Sequence, residues 1–242
     1  MLNIVIPMAG SSDEFSKAGY LYSKPLIEIR GKPLIQYVLE NLEKIEEPKR
    51  FIFIVNDEDC RKFHLDNTLK LLSENCIVIK ITNATKGALC SVLMAIDEIN
   101  DNEELLILNS DQVLDVDLNI PITDFRNQVA DSGIITFNSV HPRWSYARIQ
   151  DAKVVQTAEK NPISKNAIAG LYYFKEASQF FQASFRTILF QDHLDGQFFI
   201  SSVINQFVLS NKRNLFYKID SEKYHSFYSV QKVKEFENFV NK

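Results

Sequence analysis

Leu2-Asn3-Ile4-Val5-Ile6-Pro7-Met8-Ala9-Gly10 opens the chain as an apolar run ending in a small-residue turn. The run from Leu2 to Pro7 reads as a buried strand, and Ala9-Gly10 leaves backbone that a ligand can approach closely. Lys24-Pro25-Leu26-Ile27 then leads through Gly31-Lys32-Pro33 into an amphipathic segment. There Leu34, Val38, Leu42 and Ile45 recur at helical spacing, so residues 33–45 are expected to form a helix, with Pro33 at its first position.

The same rhythm continues outward. Strand candidates follow at 50–55, 76–81 and 104–109, and helix candidates at 57–72 and 86–99. Strands alternating with helices imply parallel strands joined by right-handed crossovers, with ligands at the carboxyl ends of the strands. Beyond residue 130 the pattern shifts to short β-like pieces at 133–138, 146–150, 154–158 and 167–174. Helices at 176–190 and 201–210, a strand at 214–219 and a helix at 230–240 complete the expectation. No repeat or linker interrupts the 242 residues, which points to one α/β, Rossmann-like domain with a mixed, mostly parallel central sheet.

Composition narrows the function classes. With 27 basic and 31 acidic residues the net charge is −4, so nothing marks nucleic acid as a partner. No apolar run reaches the ~18 residues of a membrane span. The N-terminal run lacks the basic flank of a signal peptide, and Cys60, Cys76 and Cys90 lie apart without metal or disulfide spacing. A reducing cytosol is therefore the expected compartment. Phe180-Phe181 and Phe198-Phe199 are candidates for core or for the interface of a homo-oligomer, with core favoured.

The motifs add chemistry. Pro7-Met8-Ala9-Gly10, Phe15, Gly19-Tyr20, Lys24-Pro25-Leu26-Ile27 and Gly31-Lys32-Pro33 match, in order and register, the opening of one bacterial branch of the sugar-phosphate nucleotidyltransferases, P-M-A-G-x-G-S-R-F followed by G-Y and P-K-P-L-I. The chain resembles that family along nearly its whole length. The resemblance implies the nucleotide-diphospho-sugar transferase fold, with a nucleotide-binding half at 1–130 and an acceptor half at 131–242. It also implies a reaction in which a nucleoside triphosphate and a phosphorylated acceptor give an activated sugar and pyrophosphate, with Mg²⁺ as cofactor, in surface-polysaccharide assembly.

Site residues carry over by position. Ala9, Gly10 and Lys24 would lie along the nucleotide, with Lys24 beside the reacting centre. Thr85, Gly87 and Ala88 resemble the segment beside the nucleobase, although a helix start capped by Thr85 accounts for the same letters. Asp111, at the end of a strand, resembles the metal-binding catalytic aspartate; a capping turn aspartate is its plain alternative. On the acceptor side, Tyr146 belongs to a W-S-Y-A stretch, Glu159-Lys160 resembles the pair that takes sugar hydroxyls and sugar phosphate, and Gly170 resembles the pocket floor.

Three positions depart from the pattern: Ser12 replaces glycine, Asp13 replaces serine and Glu14 replaces arginine. A charge reversal ~5 Å from a phosphate, at an effective dielectric of ~20, is worth about 3 kcal/mol for each of the two lost and gained interactions. Lys17, Lys24 and Arg143 remain to compensate phosphate charge. Near the C-terminus, His225-Ser226 stands where the family has a second metal aspartate, which leaves His225 as a candidate ligand and, more plainly, as a structural histidine. Three readings stay open from sequence: an active transferase, a catalytically silent relative that binds a nucleotide, an NDP-sugar or another protein, and a glycosyltransferase using Asp111-Gln112-Val113.

Overall fold

The computed structural model describes residues 1–240. The first half runs β1 (Leu2–Pro7), α1 (Asp13–Lys17), β2 (Glu28–Ile29), β3 (Lys32–Pro33), α2 (Leu34–Glu43), β4 (Lys49–Asn56), α3 (Asp57–Phe63), α4 (Leu65–Leu72), β5 (Ile77–Ile81), α5 (Ala88–Val92), β6 (Glu104–Leu108), β7 (Gln112–Leu114) and α6 (Asn119–Asn127). The second half adds β8 (Ser132–Asn138), β9 (Tyr146–Gln150), β10 (Lys153–Ala158), β11 (Asn166–Phe174), α7 (Ala177–Leu189), α8 (Ile200–Leu209), β12 (Asn214–Lys218), β13 (Tyr224–Ser226) and α9 (Val230–Phe239).

One nine-stranded sheet spans both halves in the order β10-β9-β11-β6-β1-β4-β5, with β8 and β12 branching from β11. The block β6-β1-β4-β5 is parallel, β11 is antiparallel to β6, β8 and β9, and β10 is antiparallel to β9. Since β12 is parallel to β8, only β10 and β11 run against the other strands of this sheet, which is mixed and mostly parallel. This is a single α/β domain.

Its two cores follow from strand alternation. Leu2, Ile4 and Ile6 of β1 join Phe51, Phe53 and Val55 of β4 on the face covered by α2, and Val5 joins Ile52 and Ile54 on the face covered by α7 and α8. Successive side chains point to opposite faces, so a strand covered on both sides must be apolar throughout. That is why the opening run has so little polar punctuation.

Three expected helices change form. Pro33 stands at the N-cap of α2, one residue earlier than expected, because it is extended at ψ 146 and pairs with Glu28 in the β2-β3 hairpin. The 57–72 segment breaks at His64, whose φ of 53 ends α3 and starts α4. The 86–99 segment begins only at Ala88 and turns into a 3-10 helix from Leu93 to Glu98. Gly87 cannot join it: its φ is 101, and a Cβ there would stand 2.3 Å from the Phe198 carbonyl oxygen. Phe180, Phe181 and Phe198 are core, whereas Phe199 reaches the cleft described next. Among the described residues, no helix is long and apolar enough to cross a membrane.

Candidate active site

The carboxyl ends of β1, β5 and β6 open into a cleft of about 500 Å³ lined by Ala9, Gly10, Ser12, Thr85, Gly87 and Ala88, with Lys24 and Asp111 at one end. A second cavity of about 320 Å³ adjoins it and shares Ala88, Asn109, Asp111 and Phe199. Arg143, Trp144, Glu159, Gly170, Tyr224 and Tyr228 line this second space. A third cavity lies beyond the β1 loop, where Asp13, Glu58 and Asp59 face Lys62 and Asn56.

Lys24 and Asp111 meet where the first two cavities join. Lys24 Nζ is 3.1 Å from Asp111 Oδ2, with side-chain exposures of 23% and 32%. A partly exposed ion pair with a single contact contributes on the order of 1 kcal/mol, so substrate phosphate or a cation can displace it at small cost. The Lys24 segment is tied to the β1 loop by its backbone N–H, which donates to Ser12 Oγ at 2.9 Å. Asp111 is held from behind, its carbonyl accepting the Phe227 N–H at 2.8 Å.

The altered loop is unstrained. Ser12 has φ −102, an ordinary value for serine, so this position does not require glycine's freedom. Its hydroxyl holds the Lys24 backbone, a contact glycine could not make. Glu14 is exposed on α1 and lines neither cavity beside the loop, and Lys17 is exposed in the last turn of α1. The expected clash of Glu14 with a triphosphate therefore has no geometric basis here. Asp13 lines the third cavity and not the first.

Thr85 is not a helix cap. Gly87 is the residue preceding α5, and the Thr85 hydroxyl contacts Gly87 O at 3.1 Å and Ser91 Oγ at 2.7 Å. The segment is clamped by Phe198, whose N–H donates to Lys86 O at 2.8 Å and whose carbonyl accepts the Leu89 N–H at 3.2 Å. Gly87 and Ala88 thus present a fixed, small surface to the cleft.

The second cavity is built around partly buried polar groups. One Glu159 oxygen accepts from the hydroxyls of Ser145 and Ser201. Burial pushes the Glu159 carboxyl up, while those two hydroxyls and the Lys160 charge pull it partly back. Gly170 lies at φ 59 in the register break of β11 against β8, between Ile168 and Tyr172. A Cβ there would meet Asn109 Nδ2 and Gln112 Oε1, both at 2.3 Å, so the floor requires glycine. Gln112 Oε1 also accepts from the Tyr224 hydroxyl at 3.2 Å, and burial together with the Asp111 charge raises that phenol well above its usual range.

Two expected acceptor residues lie elsewhere. Tyr146 is fully buried beneath the wall, its hydroxyl donating to His141 O at 2.7 Å; its neighbour Ser145 lines the cavity. Lys160 is exposed and outside the lining, with Nζ 5.5 Å from the Phe199 ring centroid. His225 also faces away. Alternation along β13 sends Tyr224 and Ser226 into the cavity and packs His225 against Phe236 and Phe239, with ring centroids 5.2 and 4.3 Å apart. Burial holds its imidazole below the usual range, and its packing against the two phenylalanines outside both cavities marks it as a structural histidine.

Sequence reasoning offered Phe199 only as core or interface and gave Tyr224 and Tyr228 no ligand-binding role. Phe199 was signalled only by its place before α8, and the two tyrosines by proximity to Ser226.

The residues present fit a Mg²⁺ ion held largely by substrate. Among the described residues no group of three histidine, cysteine or acidic side chains converges on one point. Mg²⁺ commonly takes one or two carboxylates and completes its shell with phosphate oxygens and water. Asp111 would supply the carboxylate at the junction, with the Ser226 side chain on the facing strand.

The chain belongs to the nucleotidyl transferase family, whose model matches residues 10–223. Its structure is similar to a nucleoside-diphosphate-sugar pyrophosphorylase from Vibrio cholerae RC9, with a TM-score of 0.85 and 23% identity over 97% of this chain and 99% of that one. It is also similar to a UDP-glucose pyrophosphorylase complexed with UDP-glucose (TM-score 0.77, 18% identity, 99% and 98% covered). A UTP-bound UGPase from Acinetobacter baumannii follows at TM-score 0.74 and 15% identity, over 98% and 92%. At such identities the likeness establishes the fold. No curated protein sequence matches the chain.

Proposed function

We propose that the protein joins a nucleoside triphosphate to a sugar 1-phosphate or related phosphorylated acceptor, releasing pyrophosphate, in a cytoplasmic step of surface-polysaccharide biosynthesis. The observation that carries this reading is the Lys24–Asp111 pair at the junction of two cavities of different character. The solved relatives named for nucleotide-sugar pyrophosphorylase activity support the reaction class.

The chain's own residues would act mainly by placement. The base lies against Thr85, Gly87 and Ala88, the α-phosphate reaches Lys24, and the acceptor enters between Glu159 and Gly170. Glu159 accepts from acceptor hydroxyls, and Lys24 offsets charge on the oxygens around phosphorus. Holding two polyanions in line replaces a bimolecular encounter by a unimolecular step, the dominant contribution available to phosphoryl-type transfer. Mg²⁺, held at Asp111, would neutralise triphosphate charge.

The test is pyrophosphate release across the four common nucleoside triphosphates and a panel of phosphorylated acceptors with Mg²⁺, beside Asp111→Ala. Release that depends on Asp111 is expected. No turnover, together with no thermal shift on adding any triphosphate, would reject the reading.

A further inference from the structure

The acceptor cavity contains acidic Asp111 and Glu159, and Arg143 is the one cationic side chain lining it among the described residues. Its guanidinium carbon lies 3.5 Å from the Tyr228 ring centroid and 5.9 Å from that of Trp144. Trp144 is itself wedged edge-on between Phe137, Tyr224 and Tyr228, at 5.6, 5.4 and 5.7 Å.

The loop beneath Arg143 is pinned as well. Ser139 Oγ accepts the His141 N–H at 3.2 Å, His141 Nδ1 accepts the Arg143 N–H at 3.3 Å, and buried Tyr146 holds the His141 carbonyl. Arg143 makes no ion pair among the described residues. A guanidinium stacked by its face keeps its N–H edge free, and that edge matches the oxygens of a phosphate or carboxylate.

We propose that Arg143 binds the anionic group of the acceptor, that Tyr228 and Trp144 position it, and that Lys160 takes no part. The inference rests on the second cavity being the acceptor site. It also orients the acceptor: the anion stands at the aromatic wall, and the hydroxyl end meets the Glu159 carboxylate. The shared chemistry is an oxyanion, from a phosphate ester or a sugar carboxylate.

Calorimetric titration of the intact protein tests this with inorganic phosphate, glucose 1-phosphate, glucuronic acid and neutral methyl glucoside as probes. Affinity for at least one anionic probe should fall about tenfold or more in Arg143→Gln. It should recover partly in Arg143→Lys, weaken in Tyr228→Leu with triphosphate binding unchanged, and stay as in wild type in Lys160→Gln. Glucose 1-phosphate against glucuronic acid identifies which oxyanion is read. Undiminished anion binding in Arg143→Gln, loss in Lys160→Gln, or no anionic probe bound by the wild type would overturn the proposal. Arg143-dependent binding in a protein that never releases pyrophosphate would keep this assignment and remove the transferase reading; turnover insensitive to Arg143 would do the reverse.

Discussion

The β1-loop side of the cleft and the acceptor side are built on opposite plans. The loop side is lightly held: Lys24 and Asp111 meet through one partly exposed ion pair, and Ser12 ties the two segments by one hydrogen bond. The side of the second cavity is braced by Glu159 with its two serines, by glycine at a register break and by interlocked aromatic rings. An exchangeable pair suits a place where charged groups arrive and leave, because little stabilisation is lost when substrate replaces a protein partner. A partly buried carboxylate with one oxygen held by two serines suits discrimination, because a ligand lacking the matching hydroxyl leaves the other oxygen unpaired.

This contrast orders the substitutions. Asp111→Asn keeps a side chain for Lys24 but removes the charge at the junction, and turnover should fall by about a hundred- to thousandfold in a pyrophosphate-release assay, with melting temperature nearly unchanged. A large loss of stability in that variant would mean that the pair is structural. Gly170→Ala should do the reverse and cost roughly 3 kcal/mol of stability, from a left-handed backbone and a Cβ that meets Asn109 and Gln112 at 2.3 Å. Thermal denaturation would show this as a melting point lower by roughly 10 °C.

Glu159→Gln separates binding from stability. The carboxyl is raised in the fold by burial, so above the usual carboxylate range the folded state pays to keep it ionised. The sign follows: wild-type stability is greatest below the unfolded pKa and declines as pH rises through the folded one. The glutamine variant should lose that decline, melt higher at neutral pH and bind acceptor less well. A melting curve with unchanged pH dependence would contradict the assignment.

The smallest effect is expected at Glu14→Arg. Because Glu14 is exposed and outside the cleft, triphosphate affinity should change less than about threefold, and only through screened long-range charge. A strong gain would show that α1 rearranges over the phosphates.

Much of this was readable in the sequence where the physics is periodic. Apolar strands alternating with helices pointed to the parallel block and its two cores, and Asp111 could be placed at a strand end. Lys24, which opens a short 3-10 helix, was legible only through the family resemblance. What sequence could not carry was direction within a turn. Glu14 and Ser12 look alike as departures, yet one faces solvent and the other holds Lys24. Tyr146 and Lys160 sit in motif positions, but strand alternation and a left-handed backbone at Lys160 (φ 49) turn both out of the cavity. The aromatic wall joins residues from β8, the loop before β9, and β13 with the loop that follows it, a long-range convergence that no local pattern announces.

The central claim is that one nucleotide spans the β1–β5 side of the cleft and presents its α-phosphate to the Lys24–Asp111 junction. A crystal structure with a non-hydrolysable nucleoside triphosphate and Mg²⁺ tests it most directly. The account predicts the base against Thr85, Gly87 and Ala88, the α-phosphate beside Lys24, and the Lys24–Asp111 contact opened. A nucleotide seated instead in the cavity of Asp13, Glu58 and Asp59, with the 3.1 Å pair intact, would contradict it.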